Sequence, residues 1–394
     1  MLTFIFKQLV LNLFKYADII SYKNNFSPYD IHVLDDSFYV DVILTKSLGL
    51  GEAYMDGKFT TPNLEVLITK LNTLNNLKPW DVPFNPLYTL VYGYYCLVKI
   101  YEYILVSLFN FQSIILSKKV AEVHYNLPDI LYDNMLDNTR FYSCAYFKDT
   151  DDLYTAQVAK ADLIISKLKI EDVHTILEIG CGWGFIANRI AEQYPKSFVV
   201  GITISTEQYR FCSQHYDLPN LSFECKDYRE LEANKYDRVL SCGFYEHVGL
   251  KNYEAFFNIT YNLLHEDGIM LLHTIINAQN HGGKGDPWIL KYIFPGGYIP
   301  TVSMMLSVVE KCNNFHLQDI EQFGFYYGKT LGCWHDNFCK NWERLVSYDS
   351  TLFTEKFKRM WEFYLLFCKV GFDISKLHLV QFVFTKKSKK VYCR

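Results

Sequence analysis

Ile176-Leu177-Glu178-Ile179-Gly180-Cys181-Gly182-Trp183-Gly184 decides how the rest of this 394-residue chain is read. An apolar strand pattern over 175–179 runs into three glycines at alternate positions, and a helical pattern begins at once. Glycine lets the backbone turn sharply and approach a ligand closely. The helix N-terminus behind the turn offers unpaired N–H groups and the positive end of a dipole. Together these suit a nucleotide-like cofactor that carries a carboxylate or phosphate. Dinucleotide folds use G-x-G-x-x-G. Here the spacing is G-x-G-x-G, the one expected for S-adenosylmethionine, with its methionine carboxylate on the turn. Taken alone, the turn also reads as a plain tight strand–helix connection.

Working outward from the turn, strand patterns at 174–179, 198–203, 221–225, 236–242, 268–274 and 378–385 alternate with helical patterns at 183–194, 206–215 and 252–264. Such alternation implies an α/β fold, a parallel sheet with helices on both faces. Ligands in such sheets bind beyond the carboxyl ends of the strands. A long insertion, 275 to about 314, follows the fifth strand and carries Asp286-Pro287-Trp288 and Lys291-Tyr292-Ile293-Phe294-Pro295-Gly296-Gly297. It is placed to build a substrate pocket. Helix-like segments at about 333–346 and 351–370 precede the last strand. Ahead of the sheet, residues 1–85 alternate short periodic segments with turns. Residues 87–117 are apolar and tyrosine-rich, but Lys99 and Glu102 interrupt them, which favours a buried or interfacial helix over a membrane span.

Composition narrows the function classes. Half of the residues are apolar and 21% are charged, as in a globular chain. A net charge of −4 gives no general reason to bind nucleic acid. The 17% of aromatic residues suit acyl-chain sites and membrane interfaces as well as cores. Eleven cysteines without a C-x-x-C pair argue for a reducing compartment and against a zinc site or a disulfide framework, so no metal is expected. The N-terminus lacks the basic region and cleavage site of a signal peptide.

The strand ends carry the candidate chemistry. After the second strand, Thr203-Ile204-Ser205-Thr206-Glu207-Gln208 offers hydroxyls and an amide where a dinucleotide fold wants an acid for the ribose. Thr203 and Gln208 suit the ribose or amino-acid part of S-adenosylmethionine, and Ser205 also reads as a helix cap. After the third, Asp227 can accept from an adenine amino group while Tyr228 covers the ring, with Arg229 next; a solvated loop reads equally well. Glu246 after the fourth and His273 after the fifth stand at adjacent strand ends. A carboxylate and an imidazole at one crevice suggest acid–base work or capture of a small polar group. A histidine at a strand end alone is more often structural. Cys144, before the sheet, reads as a lid residue or as a small buried hydrophobe.

These motifs, in order and at family spacing from about residue 31 to the C-terminus, resemble the cyclopropane-fatty-acyl-phospholipid synthases and, more broadly, the mycolic acid cyclopropane synthases. The matching pieces include 142–147, 177–184, 201–208, 227–229, 246–249, 273–275, 286–295, Thr330-Leu331 with Trp334, 360–364 and 381–384. The 47–57 segment resembles the N-terminal domain of the phospholipid-acting branch. The resemblance implies a class I S-adenosylmethionine-dependent methyltransferase with a Rossmann-like sheet, helical cap insertions and a smaller N-terminal domain. It divides the chain into a lipid-contacting domain (1–85), a helical linker (86–125) and a catalytic domain (126–394). The implied reaction moves a methylene group onto the cis double bond of a phospholipid acyl chain. Carried over by motif, Tyr142, Ser143, Ile176 to Gly184, Thr203 to Gln208, Asp227, Tyr228 and Arg229 hold the cofactor. A bicarbonate ion, the general base, is held by Glu246, His273 and Tyr327 (Tyr326 is the near alternative) with the backbones of Cys144 and Ile275. Cys368 matches a family cysteine once given a catalytic role, yet nothing beside it in sequence would lower its pKa, which favours a structural role. Departures are Ile276 where the family has glycine, Leu127-Pro128 where it has Leu-Gly, and the more apolar 87–117.

The substrate then lies in a membrane bilayer, and a cytoplasmic protein peripheral on its inner face is expected. Residues 2–20 present an apolar face with Lys7 and Lys15, suited to an interfacial helix or to packing on the N-terminal domain. The tail Lys386-Lys387-Ser388-Lys389-Lys390 reads as a basic lipid contact or a solvated end. A homodimer is a candidate assembly. Methyl transfer without ring closure and a non-catalytic lipid-binding relic are the competing functions; the full set of site residues argues against the relic.

Overall fold

The computed structural model describes residues 2–22, 30–74, 81, 85–108, 127–170, 174–231, 236–279, 283–312, 315–386 and 392. In chain order the elements are α1 (Leu2–Tyr16), β1 (His32–Val33), α2 (Ser37–Thr45), α3 (Ser47–Met55), β2 (Phe59–Thr60), α4 (Leu64–Leu74), α5 (Pro86–Leu108), α6 (Asp129–Met135), α7 (Leu153–Leu168) and β3 (Thr175–Ile179). Then follow α8 (Phe185–Gln193), β4 (Phe198–Thr203), α9 (Thr206–His215), β5 (Leu221–Cys225), β6 (Tyr236–Cys242), α10 (Tyr253–Leu263), β7 (Leu264–Asn277) and β8 (Gly283–Lys284). Last come α11 (Pro287–Tyr292), β9 (Tyr298–Ile299), α12 (Val302–Cys312), β10 (His316–Gln322), α13 (Phe325–Lys340), α14 (Trp342–Tyr348), α15 (Glu355–Asp373) and β11 (Leu377–Thr385). These fall into two compact units.

The larger unit (111–285, 294–342 and 375–394) holds a seven-stranded sheet in the order β10-β11-β7-β6-β3-β4-β5. The five strands from β7 to β5 are parallel, as the alternating pattern predicts. The last two are not: β11 pairs antiparallel with β7, and β10 antiparallel with β11. The sheet is therefore mixed: β11, entered from α15, runs antiparallel along the β7 edge, and β10 closes that side. β10 has no counterpart among the strand patterns in the sequence. Its sequence, HLQDIEQ, is mostly exposed or half-buried and shows no apolar run. The other strand patterns hold for the physical reason that both sheet faces are covered. Leu177, Ile179, Val239 and Leu272 enter one core with Phe256 and Phe257 of α10, and Ile176, Leu240 and Leu271 enter the other with Ile186 and Ile190 of α8.

The smaller unit combines 1–110 with two later segments, 286–293 and 343–374. α15 lays Phe363 against Trp288 of α11 at 4.6 Å, while Tyr54 of α3 bonds Glu362 (3.3 Å). Ion pairs Lys356–Asp56 (2.7 Å) and Lys369–Glu65 (2.5 Å) tie the late helix to the early ones. α1 buries Leu9, Val10 and Phe14 here and leaves Phe4 and Ile5 exposed, so its apolar face is divided between packing and solvent. The helix-like stretch read as continuous over about 333–346 is broken at Asn341, between α13 and α14.

Among the described residues no helix is long and apolar enough to cross a membrane. α5 covers most of the 87–117 stretch; the remainder lies outside the described residues, as do residues 387–390 of the basic tail. Lys386 does not belong to a solvated tail: it is buried, donates to the Leu264 carbonyl (2.8 Å) and sits 4.1 Å from the centre of the Tyr261 ring.

Candidate active site

The glycine turn sits between β3 and α8, with φ of +75°, +55° and +80° at Gly180, Gly182 and Gly184. Only glycine takes such angles without strain. The Gly180 and Cys181 amides both donate to the Ile202 carbonyl of β4 (2.9 Å each), which ties the turn to the neighbouring strand. The Gly184 amide donates to the Cys181 carbonyl at 2.9 Å. Among the described residues the Gly182 and Trp183 amides find no acceptor, and a Cβ at Gly182 would meet nothing within 4 Å. Donors facing open space at a helix start are what a carboxylate needs. Beneath the turn, Glu178 accepts from the Ala187 amide (3.0 Å) and fixes the first turn of α8. Burial pushes its carboxyl up to about 8.

A cavity opens at this turn. Its wall includes Tyr142, Ser143, Glu178, Gly180, Cys181, Gly182, Trp183, Thr203, Ile204, Ser205 and Gln208, all named from sequence. Thr203 Oγ1 donates to Gln208 Oε1 (2.8 Å), and Ser205 Oγ accepts from the Gln208 amide (3.3 Å) as the cap of α9. Ser205 thus both caps the helix and faces the cavity. Ile176, Leu177 and Ile179 are core residues of β3 and do not line it. Nor do Gly184, Thr206, Glu207, Asp227, Tyr228 and Arg229. Arg229 holds both Asp227 oxygens (2.8 and 2.6 Å), and Glu207 pairs with Arg210. Tyr228 packs edge-on behind Phe244 (5.6 Å), and Phe244 itself is in the wall.

Sequence reasoning does not single out several wall residues, among them Arg140, Phe141, Phe185, Phe244, His247 and Pro295. Burial pushes His247 down to about 4, so it is neutral at pH 7. Behind the wall lies Lys160, fully buried, its Nζ 2.6 Å from Ser143 Oγ and 3.0 Å from the Phe141 ring centre. Burial pushes this amine down to about 8. The sequence signal for it is a lysine on the buried 153-156-157-160-161-164-165-168 face of α7.

Glu246 and His273 lie just beyond the cavity wall. Cys242, a wall residue, is the cross-strand partner of His273, and the Gly243 amide donates to the His273 carbonyl at 2.9 Å. Glu246 reaches the same strand: its Oε1 accepts from the Ile275 amide at 2.6 Å, two residues past His273. The Ile275 N–H is therefore engaged by Glu246 itself. Both side chains are buried, and Glu246 Oε2 and His273 Nε2 have no hydrogen-bond partner among the described residues. Unsatisfied buried polar atoms are rare and mark places where a ligand or water belongs. Burial raises the Glu246 pKa and lowers that of His273 well below its usual range, so both are held toward neutral, donor-bearing forms.

Cys144 is fully buried, with its thiol on the Ala145 carbonyl (3.3 Å) and its pKa raised by burial. The Ala145 amide donates to Thr330 Oγ1 (3.0 Å), which pins 142–147 to α13. On that helix Tyr327 faces inward, edge-on to Trp334 (6.1 Å), and Trp334 lies 5.2 Å from Tyr142. Tyr326 is half-buried and packs on Tyr146 and Phe325 instead. Cys368 lies on α15 in the smaller unit, not in the cavity wall, and burial pushes its thiol up to about 12. Such a thiol is not a nucleophile at neutral pH.

A family model described as mycolic acid cyclopropane synthetase matches residues 113–382. The cyclopropane-fatty-acyl-phospholipid synthase of Escherichia coli (strain K12) is 36% identical over 365 residues, which cover 92% of this chain and 89% of that protein. The structure of the cyclopropane synthase MmaA2 from Mycobacterium tuberculosis is similar with a TM-score of 0.63 and 30% identity, covering 68% of this chain and 98% of that one. The mycolic acid cyclopropane synthase CmaA1, solved in complex with SAH and CTAB, is similar at 0.62 and 30%, over 68% and 98%. The larger unit thus has the class I S-adenosylmethionine-dependent methyltransferase fold with a mixed seven-stranded sheet. The family match spans both the glycine turn and the Glu246 and His273 strand ends, and the chain belongs to the mycolic acid cyclopropane synthetase family.

Proposed function

We propose that this protein is a cyclopropane-fatty-acyl-phospholipid synthase, which moves a methylene group from S-adenosylmethionine to the cis double bond of an unsaturated phospholipid acyl chain. The observation that carries the reading is the pair of buried polar atoms without a partner among the described residues, Glu246 Oε2 and His273 Nε2, at adjacent strand ends beside the glycine-turn cavity.

When bound, S-adenosylmethionine supplies an electrophilic sulfonium methyl. The Gly182 and Trp183 amides suit its carboxylate, and Thr203, Ser205 and Gln208 suit its polar body. An alkene is a poor nucleophile, so the donor has to be held close and in line with the π bond. Methyl transfer leaves a cation in the acyl chain. The aromatic wall of Tyr142, Trp183 and Phe244 can stabilise a cation through its ring faces while excluding water. Ring closure requires loss of a proton from the new methyl, and bicarbonate, when bound, supplies a base there. An oxyanion fits the donor set: a neutral imidazole N–H on His273, a carboxyl on Glu246 shifted by burial toward its O–H form, and the inward Tyr327. Those side chains, with the Cys144 backbone and the Ile275 carbonyl, would hold and orient it. Tyr228, Asp227 and Arg229 serve the adenosine side from behind Phe244. Cys368 has a structural role.

The phospholipid substrate places the protein at a bilayer surface on the cytoplasmic side, and the exposed Phe4 and Ile5 of α1 suit peripheral contact. A homodimer is the proposed assembly. The test is incubation with isotopically labelled S-adenosylmethionine and vesicles of unsaturated phospholipid, followed by fragmentation mass spectrometry of the released fatty acids. A ring and a methylated alkene add the same mass and differ only on fragmentation. Label in a ring is the expected result; a methyl branch, or no label, refutes the proposal.

A further inference from the structure

His273 of β7, Gln381 of β11 and Glu321 of β10 form one row across three antiparallel strands: Gln381 is the cross-strand partner of both His273 and Glu321. Residues directly opposed on antiparallel strands share a face of the sheet. Lys167 of α7, 2% exposed, lies on this row and donates to Gln381 Oε1 at 2.7 Å. Its charge is balanced by Glu321 at 2.6 Å and Asp319 at 3.6 Å.

The order of donors along this row is determined. An ammonium only donates, so the atom of the Gln381 amide that faces Lys167 is its oxygen. The amide nitrogen therefore faces His273, with Nε2 to Nδ1 at 3.1 Å. An amide nitrogen only donates, so Nδ1 of His273 accepts. A neutral imidazole carries one proton, and here it sits on Nε2. That is the atom with no partner among the described residues. Burial, helped by the nearby charges of Lys160 and Lys167, keeps the ring neutral.

We infer that Lys167 and Gln381 are positioning residues of the reaction: they lock His273 as its Nε2–H tautomer and so make it a fixed donor to an anion held beside Glu246. The inference rests on the proposed function for the identity of that anion, but the tautomer itself does not. Without Lys167 the amide of Gln381 is free to turn over, and either tautomer then finds a partner. With a carboxylate in place of the amide, Nδ1 faces an acceptor and takes a proton.

The experiment is NMR of the full-length protein labelled with 15N-histidine. One of the 11 histidines is assigned to position 273 by the signal missing from His273→Asn. The wild type should show a proton on Nε2 alone. Gln381→Glu should show Nδ1 protonated, bind S-adenosylhomocysteine within about three-fold of wild type, and lose on the order of 10²-fold in turnover with KM for S-adenosylmethionine little changed. Lys167→Met should give mixed tautomers. An Nδ1–H wild type, which needs no variant to fold, overturns the inference. So does an unchanged tautomer in Gln381→Glu, or a changed tautomer with full turnover. A wild type with the expected tautomer that makes no cyclopropane acid refutes the function and leaves the tautomer assignment standing.

Discussion

Glu246→Gln separates the chemistry of the carboxyl group from its structural role. In the native fold Oε1 of Glu246 accepts from the Ile275 amide at 2.6 Å, while Oε2 is buried with no partner among the described residues. A glutamine side chain is nearly isosteric, and its carbonyl oxygen keeps the Ile275 bond. Its stability cost should stay under about 1 kcal/mol, whereas Glu246→Ala strands a buried N–H and should cost about 1–3 kcal/mol. The amide can still donate to a bound oxyanion, but it cannot pass a proton to or from the bicarbonate that Glu246 would hold. Loss of a positioned acid–base group costs about 10²–10⁴-fold in rate, or roughly 3–5 kcal/mol in the barrier. Three measurements on the same preparation are needed: labelled product from unsaturated vesicles, S-adenosylhomocysteine affinity by titration calorimetry, and thermal unfolding. The expected pattern for Glu246→Gln is product lost, affinity kept within a few-fold and Tm close to wild type. Affinity lost at an unchanged Tm would place Glu246 in the cofactor site, and near-normal product would remove it from the chemistry.

Lys160 sets a pH dependence of stability. Burial lowers its pKa from 10.5 to about 8 in the fold, so between those two values the unfolded chain binds a proton that the native state has released. Stability from this group therefore rises as pH climbs from about 8 to 10.5, by on the order of 3 kcal/mol. Urea unfolding of wild type and Lys160→Met at pH 7 and pH 10 should show that rise in the wild type only; parallel curves would contradict it. The glycine turn gives a paired test. Gly182→Ala adds a Cβ in open space at φ +55°, costing about 1–2 kcal/mol of backbone strain and weakening S-adenosylhomocysteine binding. Gly184→Ala puts its Cβ 2.9 Å from both Cys212 Sγ and the Tyr216 ring, so its larger loss should appear in Tm; equal melting points would refute the distinction.

How much of the molecule is legible in its sequence depends on how local the signal is. The glycine turn, the five parallel strands and the cavity residues Thr203, Ile204, Ser205 and Gln208 are readable because each set lies in a short run of neighbours. The antiparallel return of β11 is not, since a strand's partner and direction depend on where the chain has travelled. β10 escapes because an edge strand with mostly solvent-facing positions has no apolar alternation to display. Lys160 and Lys167 are hidden inside an ordinary amphipathic helix, and Gln381 inside an apolar strand. A lone polar residue on a buried face is the available signal, but its partners, Ser143 for Lys160 and Gln381 for Lys167, come from distant segments. Asp227 and Tyr228 show the opposite case: their strand end is right, but Asp227 is engaged by Arg229 and Tyr228 packs behind Phe244, so neither lines the cavity.

The smaller unit is stitched from segments that lie far apart in the chain. Tyr54 meets Glu362, Asp56 meets Lys356 and Glu65 meets Lys369, each across some three hundred residues. During synthesis, the first 110 residues emerge long before the helices that complete their core. They wait, incompletely packed and with the exposed apolar residues of α1 and α5, while most of the larger unit is made. Such waiting favours late assembly and exposure to chaperones or to the membrane surface itself. Residues 1–110 are thus made before most of the larger unit yet finish folding only with the late helices, and a chain ended at residue 110 would lack the pieces that complete their core.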